Sequence, residues 1–346
     1  MKIEKIRLDE LFRCYSTAAI TLDDELHLFF ASEEKDYPCF AYSGKDFQTK
    51  KVVWEKGGGT MSMIPIPHRK NQFLAVNGFY LKESPSGAHL TWVTYEKTKG
   101  FILKDLLFLP YLHRFDLYEV NGKTYFVGAT IATTKKDKED WSDPGKIYVA
   151  QLPEDLNEPL KLEVIAEGLT RNHGYARSPQ NDGGYFTCDQ GIFKVTVPTL
   201  NGKWSVEKIM DKAIGEIALI DIDNDGQEEL MTIEPFHGNE IKIYKKIKGI
   251  YQEVYHYPYV IDFAHTLVGT QIRGVNSFVG GIRREASDLF MVQFINGHYE
   301  TTLIDKGVGP ANLNVVHLKD VDLIHSSNHT QNEAAVYVIR DEESHA

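Results

Sequence analysis

The chain contains 346 residues, 42% of them hydrophobic, which is enough to fill a large core without a disulfide or a structural metal. Its formal net charge of -11 repels phosphate backbones and anionic lipid heads, so neither a nucleic acid nor a membrane is expected as a partner. The three cysteines, Cys14, Cys39 and Cys188, have no paired spacing and predict neither a disulfide framework nor a thiolate metal site. A secretory segment and a membrane-spanning run are both missing from the sequence, which predicts a cytoplasmic location.

Short apolar runs, rich in β-branched and aromatic residues and separated by Gly, Asn, Asp and Pro, follow one another along the chain. Examples are HLFFAS, TYFVGATIA and LFMVQFI. The runs group into fours with a period of 346/7, about 49 residues, which is typical of propeller repeats. The innermost strands of the seven groups are predicted to start near Ser16, Met61, Arg114, Gly174, Ile217, Thr266 and Leu313.

An internal repeat supports this period in the last three groups. When Leu230, Phe278 and Leu323 are aligned, the residues fourteen positions later are Tyr244, Val292 and Tyr337. The segments HGNEIKIY and HTQNEAAVY therefore represent the same turn followed by the same strand.

The sequence predicts an all-β fold, a single seven-bladed β-propeller that covers residues 1–346. The last group supplies only three strands, and the N-terminal segment KIEKIRL provides the fourth, which closes the ring. The predicted blades are 12–56, 57–110, 111–170, 171–213, 214–261, 262–307, and 308–340 together with 1–11. A β-sandwich is the main alternative, but it does not explain the period.

The segment IDIDNDGQEEL combines alternating carboxylates with a glycine that permits a sharp turn. Asp221, Asp223 and Asp225 match the first half of an EF-hand loop, but the twelfth position is Thr232 and the flanks are strands. The segment instead resembles the calcium loop of FG-GAP/VCBS propeller repeats, whose pattern is D-x-D-x-D-G-x-x-D-L. The resemblance implies calcium, or magnesium in a calcium-poor cytosol, bound by Asp221, Asp223, Asp225 and Glu229. The alternative is a solvated acidic turn without an ion.

Histidines, arginines and asparagines cluster where inner strands start and second strands end, which is one end of the central channel in a propeller. The candidate catalytic residues are His173, His237, His265 and Arg283. The candidate ligand-binding residues are His113, Arg114, Asn312 and His329. Converging imidazoles bind a divalent metal or transfer protons near neutral pH, and arginine suits a carboxylate. Each histidine taken alone is also explained as a hydrogen-bonded turn residue, so the prediction depends on their joint placement.

Two hypotheses about function follow. Among FG-GAP-like propellers, the chain is similar to rhamnogalacturonan lyases and to the propeller domain of aldos-2-ulose dehydratase. This resemblance implies a metal-assisted lyase, dehydratase or isomerase that acts on a sugar or sugar acid at the channel mouth, with one histidine as the base. The alternative is a non-catalytic propeller that binds a glycan or a protein and carries a structural calcium site. Fold alone does not decide between them, but a deep polar pocket favours the enzyme.

Overall fold

A computed structural model describes residues 1–198 and 203–342. Within these residues the strands are, in chain order, β1 (Lys2–Glu10), β2 (Cys14–Leu22), β3 (Glu25–Ser32), β4 (Cys39–Ser43), β5 (Thr49–Trp54), β6 (Ser62–Pro65), β7 (Gln72–Asn77), β8 (His89–Glu96), β9 (Gly100–Phe108), β10 (Leu112–Val120), β11 (Lys123–Thr130), β12 (Ala132–Thr134), β13 (Asp143–Gln151), β14 (Glu163–Leu169), β15 (Gly174–Arg177), β16 (Gly183–Cys188), β17 (Gly191–Thr196), β18 (Ser205–Met210), β19 (Glu216–Ile220), β20 (Glu229–Glu234), β21 (Glu240–Ile247), β22 (Ile250–His256), β23 (Ile261–Ile272), β24 (Val275–Glu285), β25 (Leu289–Ile295), β26 (His298–Asp305), β27 (Pro310–His317), β28 (Asp322–Asn328) and β29 (Glu333–Arg340).

These strands form seven antiparallel sheets, which are the blades of one propeller. Blades one to six contain β2–β5, β6–β9, β10–β14, β15–β18, β19–β22 and β23–β26, and blade seven contains β27–β29 with β1. The predicted fold class is therefore confirmed. The helical segments in the described part of the chain are three single 3-10 turns, at Lys45–Phe47, Pro85–Gly87 and His329–Gln331. None of the described helices is long and apolar enough to cross a bilayer.

The apolar core is divided into seven clusters, one at each interface between neighbouring blades. Between blades one and two, for example, the rings of Phe29 and Phe73 pack edge to face with centroids 5.2 Å apart. Strands near the channel are covered on both faces, as β20 is, with every residue buried. Outer strands such as β9 are largely exposed.

The ring closes between the two ends of the chain. β1 pairs with β29 from Lys2 opposite Arg340 to Glu10 opposite Glu333. Ile6 and Leu8 of β1 pack against the cluster between blades seven and one, and Ile3 packs against the cluster between blades six and seven. The predicted closure by the N-terminal strand is confirmed.

Inner strands share an irregularity at the end of the channel where they begin. The register shifts around Tyr15 in blade one, His113 in blade three, His265 in blade six and Ala311 in blade seven. Such a bulge leaves one residue out of the ladder and redirects its side chain. His173 occupies the equivalent position in blade four, directly before β15. Tyr15, His113, His173 and His265 thus occupy equivalent positions at the starts of four inner strands.

Removal of residues 1–10 is expected to open the ring and lower Tm by about 5–10 °C, because the β1–β29 ladder and the contacts of Ile3, Ile6 and Leu8 are lost. Ile6→Pro, which places a proline within the β1–β29 ladder opposite Val336, should also lower Tm, but less. The exposed Lys2→Ala serves as the control. An unchanged Tm after truncation, measured by calorimetry, would contradict the role of β1 in closure.

Blade seven contains a buried histidine, His325, whose surroundings disfavour its charged form. Its Nδ1–H donates to the Thr17 hydroxyl at 2.7 Å, since that hydroxyl itself donates to the Phe29 carbonyl at 2.9 Å. Among the described residues, its Nε2 has no hydrogen-bond partner. Burial lowers the pKa of His325 to about 3.

His325 is expected to make the protein less stable in acid. The pKa of an unfolded histidine is 6.5, so between that pH and about 3 the unfolded state binds a proton that the folded state rejects. The free energy of unfolding therefore falls as the pH drops through this window. In urea titrations, His325→Gln should reduce the pH slope by up to about 1.4 kcal/mol per pH unit, whereas the exposed His298→Gln should not. Equal slopes in the two variants would refute the assignment.

Candidate functional site

The end of the channel where the inner strands begin opens into a cavity of about 740 Å³. Six of the predicted site residues line it: His113, His173, His237, His265, Arg283 and His329. The five histidines named from strand phasing thus face one shared cavity. Arg114 and Asn312 do not line it and lie beside a second cavity of about 350 Å³ toward the other end of the channel.

The backbone of the next blade fixes the orientation of two of these histidines. His173 Nδ1 lies 3.2 Å from the carbonyl oxygen of Gly215, and His265 Nδ1 lies 2.5 Å from that of Ala311. A carbonyl oxygen only accepts, so both imidazoles carry their proton on Nδ1 and present Nε2 to the cavity. Gly174 permits the close approach of blades four and five, because a Cβ there would lie 2.7 Å from the Cα of Glu216.

Three imidazoles form a group with the geometry of a metal site. His173, His237 and His265 each offer one ligand nitrogen, and these atoms lie within 4.8 Å of one another. His173 Nε2 and His237 Nε2 are 3.3 Å apart, which is close to the spacing of two nitrogens bound to one ion at about 2.0–2.1 Å each. The rings of His237 and His265 stack at 5.0 Å.

Each of these imidazoles is held neutral by its surroundings. Burial, followed by the charge of Arg114, lowers the pKa of His173 to about 3. Burial also lowers the pKa of His237 and of His265 well below the usual range, with further lowering from Arg283. A neutral imidazole is the form that binds a metal ion, so the group needs no deprotonation near pH 7.

Tyr15 lies between the histidine triad and His113, and its hydroxyl contacts both. Its hydroxyl is 3.3 Å from His113 Nε2 and 3.5 Å from His265 Nε2. Burial raises the pKa of Tyr15 to about 12 and lowers that of His113 well below its usual range. A protonated phenol therefore lies next to a neutral imidazole.

Blades six, seven and one supply a charged wall. His329 Nε2 lies 2.7 Å from a carboxylate oxygen of Glu33, and Arg283 lies 2.9 Å from His329 Nε2 and 3.9 Å from Glu33. Arg13 forms an ion pair with the same carboxylate. Burial raises the pKa of Glu33, but the hydrogen bond from His329 and the charges of Arg283 and Arg13 outweigh it, so the pKa is lowered. Two guanidinium groups thus share one carboxylate.

Beneath the histidines, a buried ion pair crosses the channel. Arg114 lies 3.5 Å from Glu216, whose carboxylate also accepts hydrogen bonds from the backbone N–H groups of Tyr175 at 3.0 Å and Ile217 at 3.1 Å. Burial raises the pKa of Glu216 to about 7 despite these partners. Asn312 donates to the carbonyl of Tyr15 at 2.8 Å. Arg114 and Asn312 thus support the residues above them.

The Asp loop, residues 221–229, lies at the opposite end of the channel, because β19 runs from Glu216 below the histidines to Ile220 beside the loop. Asp221, Asp223 and Asp225 have carboxylate oxygens within 4.8 Å of one another. Asp221 accepts from the backbone N–H groups of Asp225 at 3.0 Å and Gly226 at 2.8 Å, which forms the predicted sharp turn. The loop therefore has the shape of a candidate cation site.

Lys245 of β21 brings a positive charge into this loop. Its Nζ lies 2.8 Å from Asp225 and 3.2 Å from Glu229, and it also forms an ion pair with Asp223. Burial lowers the pKa of Lys245, but these three carboxylates outweigh it and raise the pKa. Since three of the four predicted calcium ligands contact the ammonium group, an added ion has to displace it.

Comparisons with known proteins agree on the fold alone. No protein-family model matches the chain, and no curated protein matches it. A functionally unknown protein from Desulfotomaculum acetoxidans superposes with a TM-score of 0.53 at 13% identity, over 85% of this chain and 86% of the other. Two structures named "putative 6-phosphogluconolactonase" are also similar. The one from Bacteroides uniformis has a TM-score of 0.57 at 12% identity, covering 88% and 89% of the two chains. The one from Bacteroides fragilis has a TM-score of 0.55 at 15% identity, covering 88% of each.

Several site residues were not recognised in the sequence. Tyr15 lies one residue before the predicted strand start at Ser16, in the position equivalent to His113 and His265, so the strand phasing contained the signal. Glu33 directly follows β3, the second strand of blade one, so the same strand phasing placed it at this end of the channel. Lys245 lies in a third strand, and nothing in the loop motif pointed to it.

Lys245→Met is expected to convert the Asp loop into a stronger calcium site, because removal of the ammonium group leaves carboxylates that repel one another. Without calcium its Tm should be below that of the wild type, and calcium should raise it more than it raises the wild type. Lys246→Met, at the exposed neighbouring position, is the matched control. A further Asp223→Asn substitution should abolish the calcium response. Equal responses in all four proteins would show that the loop binds no calcium.

Proposed function

We propose that the protein is a metal-dependent enzyme that acts on an anionic sugar derivative in the histidine cavity. The observation that carries this proposal is the convergence of three neutral imidazoles beside a buried arginine inside one deep cavity. A broad aromatic face with scattered histidines would have favoured a binding protein instead. Action on a sugar is also supported by two similar propellers, since each is named as a lactonase of a sugar derivative.

His173, His237 and His265 are the proposed ligands of a divalent transition-metal ion. Three histidines with an open coordination position are typical of catalytic zinc sites, and related ions accept the same donors. The Nδ1 contacts of His173 and His265 with backbone carbonyls orient the ligand nitrogens, as in metal sites generally. The bound ion would supply a Lewis acid that polarises a carbonyl or carboxylate oxygen of the substrate.

Arg283 is the proposed partner of the anionic group of the substrate. It lines the cavity, it is largely buried, and its nearest carboxylate, that of Glu33, is shared with Arg13. Arg13 also pairs with Glu34 at 3.6 Å, so Arg283, at 3.9 Å from Glu33, has the longer contact with a carboxylate. A substrate carboxylate would balance the charge of Arg283. Arg283 also stacks on Phe263, with its guanidinium carbon 5.0 Å from the ring centroid, which limits its motion.

Tyr15 and His113 are the proposed proton-transfer pair. A carboxylate or carbonyl held at the metal side acidifies the neighbouring C–H, and a base must then remove that proton. In the tautomer with its proton on Nδ1, His113 would be the base through Nε2. The Tyr15 hydroxyl, 3.3 Å from that nitrogen, would supply a proton to the departing oxygen. Proton removal followed by loss of the β-oxygen is an elimination; return of the proton to the adjacent carbon is an isomerisation.

At the Asp loop we propose a structural calcium ion, or magnesium, held by Asp221, Asp223, Asp225 and Glu229 in exchange with Lys245. The support is the turn geometry around Asp221 and the close approach of the three aspartates. The loop lies at the far end of the channel, so its ion would stabilise blade five and take no part in the reaction.

Elemental analysis of the purified protein is expected to find about one divalent transition-metal ion per chain, because the triad has one set of three nitrogen donors. His173→Ala and His237→Ala should lose this metal, whereas the exposed His256→Ala should retain it. Arg283→Met should keep the metal but reduce turnover of uronate-containing sugars, followed by the ultraviolet absorbance of the unsaturated product, by about 100-fold or more. Full metal retention by both triad variants would refute the metal site. Metal retention without turnover of any sugar acid would favour a binding protein.

A further inference from the structure

Two long connections rise above one side of the histidine cavity. Residues 78–88 join the second and third strands of blade two, and residues 131–142 join β11 to β13 in blade three and include β12. In the other blades the corresponding connection is shorter, and the longest is 33–38 in blade one. Both long connections contribute to the cavity lining, through residues such as Leu81 and Trp141. The cavity therefore extends beyond the metal group toward blades two and three.

The blade-three connection places an ammonium group on an aromatic ring. Lys135 Nζ lies 3.1 Å from the centroid of Trp141 and donates to the Lys138 carbonyl at 2.8 Å. An ammonium group has three donor hydrogens, so after the contacts with this carbonyl and with the ring one remains for a ligand. The guanidinium carbon of Arg171 lies 5.0 Å from the same ring and is paired with Asp189 at 2.8 Å.

Cationic groups outnumber carboxylates among the residues that line the cavity. Lys135, Lys136 and Lys138 line it together with Asp137, which accepts from the Glu139 N–H at 2.9 Å. Within the connection the charges balance, because Glu139 lies 3.7 Å from Lys138 and Asp140 accepts from the backbone N–H groups of Lys136 and Ser142, both at 3.0 Å. Over the whole cavity, the lining cations are Arg13, Lys135, Lys136, Lys138, Arg283 and Arg284, and the lining carboxylates are Glu83 and Asp137. On a chain with a net charge of -11, this positive excess in the cavity favours an anionic ligand.

The connection lies across the mouth from the Arg283 wall. In a ring of seven blades, the blades opposite blade three are six and seven, which carry Arg283 and His329. Lys135 and Lys136 are therefore separated from Arg283 by the width of the cavity, with the histidine triad between them. A volume of about 740 Å³ is in the upper part of the range for small-molecule sites and exceeds the needs of one sugar ring.

We infer that Lys135, Lys136 and Trp141 form a second anion subsite, which holds a charged sugar unit next to the unit bound at the histidine triad. The ligand is therefore an acidic oligosaccharide, in which the charge is a carboxylate or a sulfate ester, rather than a monosaccharide. This inference rests on the proposed function, because it takes the histidine cavity as the sugar site. The indole holds the Lys135 ammonium in place, and the ammonium groups balance the charge of the sugar unit.

Titration calorimetry with the metal-loaded protein tests the subsite. The probes are galacturonate, trigalacturonate, a sulfated galactose trisaccharide and the uncharged galactotriose. Either or both charged trisaccharides should bind about tenfold more tightly than galacturonate and galactotriose, and the relative affinity of the carboxylated and sulfated forms identifies the source of the charge. The Lys135→Met/Lys136→Met variant should lose most of this preference and keep the affinity for galacturonate. Lys135→Arg should retain the preference, which separates loss of charge from loss of structure.

The matched control is Lys97→Met/Lys161→Met, since both lysines are exposed and lie in turns at the opposite end of the blades. Equal binding of galactotriose and the charged trisaccharides, an unchanged preference in the Lys135→Met/Lys136→Met variant, or no binding of any charged trisaccharide would each overturn the subsite. The proposed function is tested by two other measurements, the metal content of the protein and its turnover of galacturonate-containing probes. A charged-trisaccharide preference in a protein without metal would support the subsite while refuting the enzyme.

Discussion

The ladder between β1 and β29 is the interaction on which the rest of the structure depends. Each blade buries both of its faces only while it has a neighbour on each side, and this ladder completes blade seven, the last neighbour in the ring. The same closure brings blade one against blade seven at the cavity, where Glu33 of one contacts His329 of the other at 2.7 Å. A substitution that weakens the β1–β29 ladder would therefore disturb the candidate site as well as the core.

The site follows from repetition of one backbone feature. Tyr15, His113, His173 and His265 occupy equivalent positions at the starts of their inner strands, and the radial arrangement of the blades turns equivalent positions into near neighbours. Packing four such side chains together is costly, because burial and mutual repulsion exclude the charged forms of the imidazoles. A ring of apolar residues would be more stable, and this cost is typical of functional sites.

The sequence predicted the features that repeat and missed those that do not. The strand period was enough for the blade number, the closure and the five histidines. The sequence predicted that His113 and Arg114 lie at the same end of the channel. Successive side chains of a strand point in opposite directions, so His113 faces the cavity and Arg114 lies beneath it with Glu216. Contacts made across the ladder, such as that of Lys245 with Asp225, have no local signature. The connection with Trp141 lies outside the repeat, so the strand period gave no information about it.

Charge balance links the proposed metal to the proposed substrate. The cavity already contains Arg283 and Arg13 against Glu33, and beneath it Arg114 faces Glu216. A divalent ion would add positive charge to this region. Burial raises the pKa of Glu216 to about 7. The Glu216 carboxylate lies 3.8 Å from Nδ1 of His173, a proposed metal ligand, so a bound ion would favour its ionised form. An anionic sugar would supply the remaining negative charge, so the metal and the ligand would each strengthen the binding of the other. With the proposed metal bound, this arrangement of arginines, imidazoles and carboxylates would thus accommodate an acidic substrate at the lowest electrostatic cost.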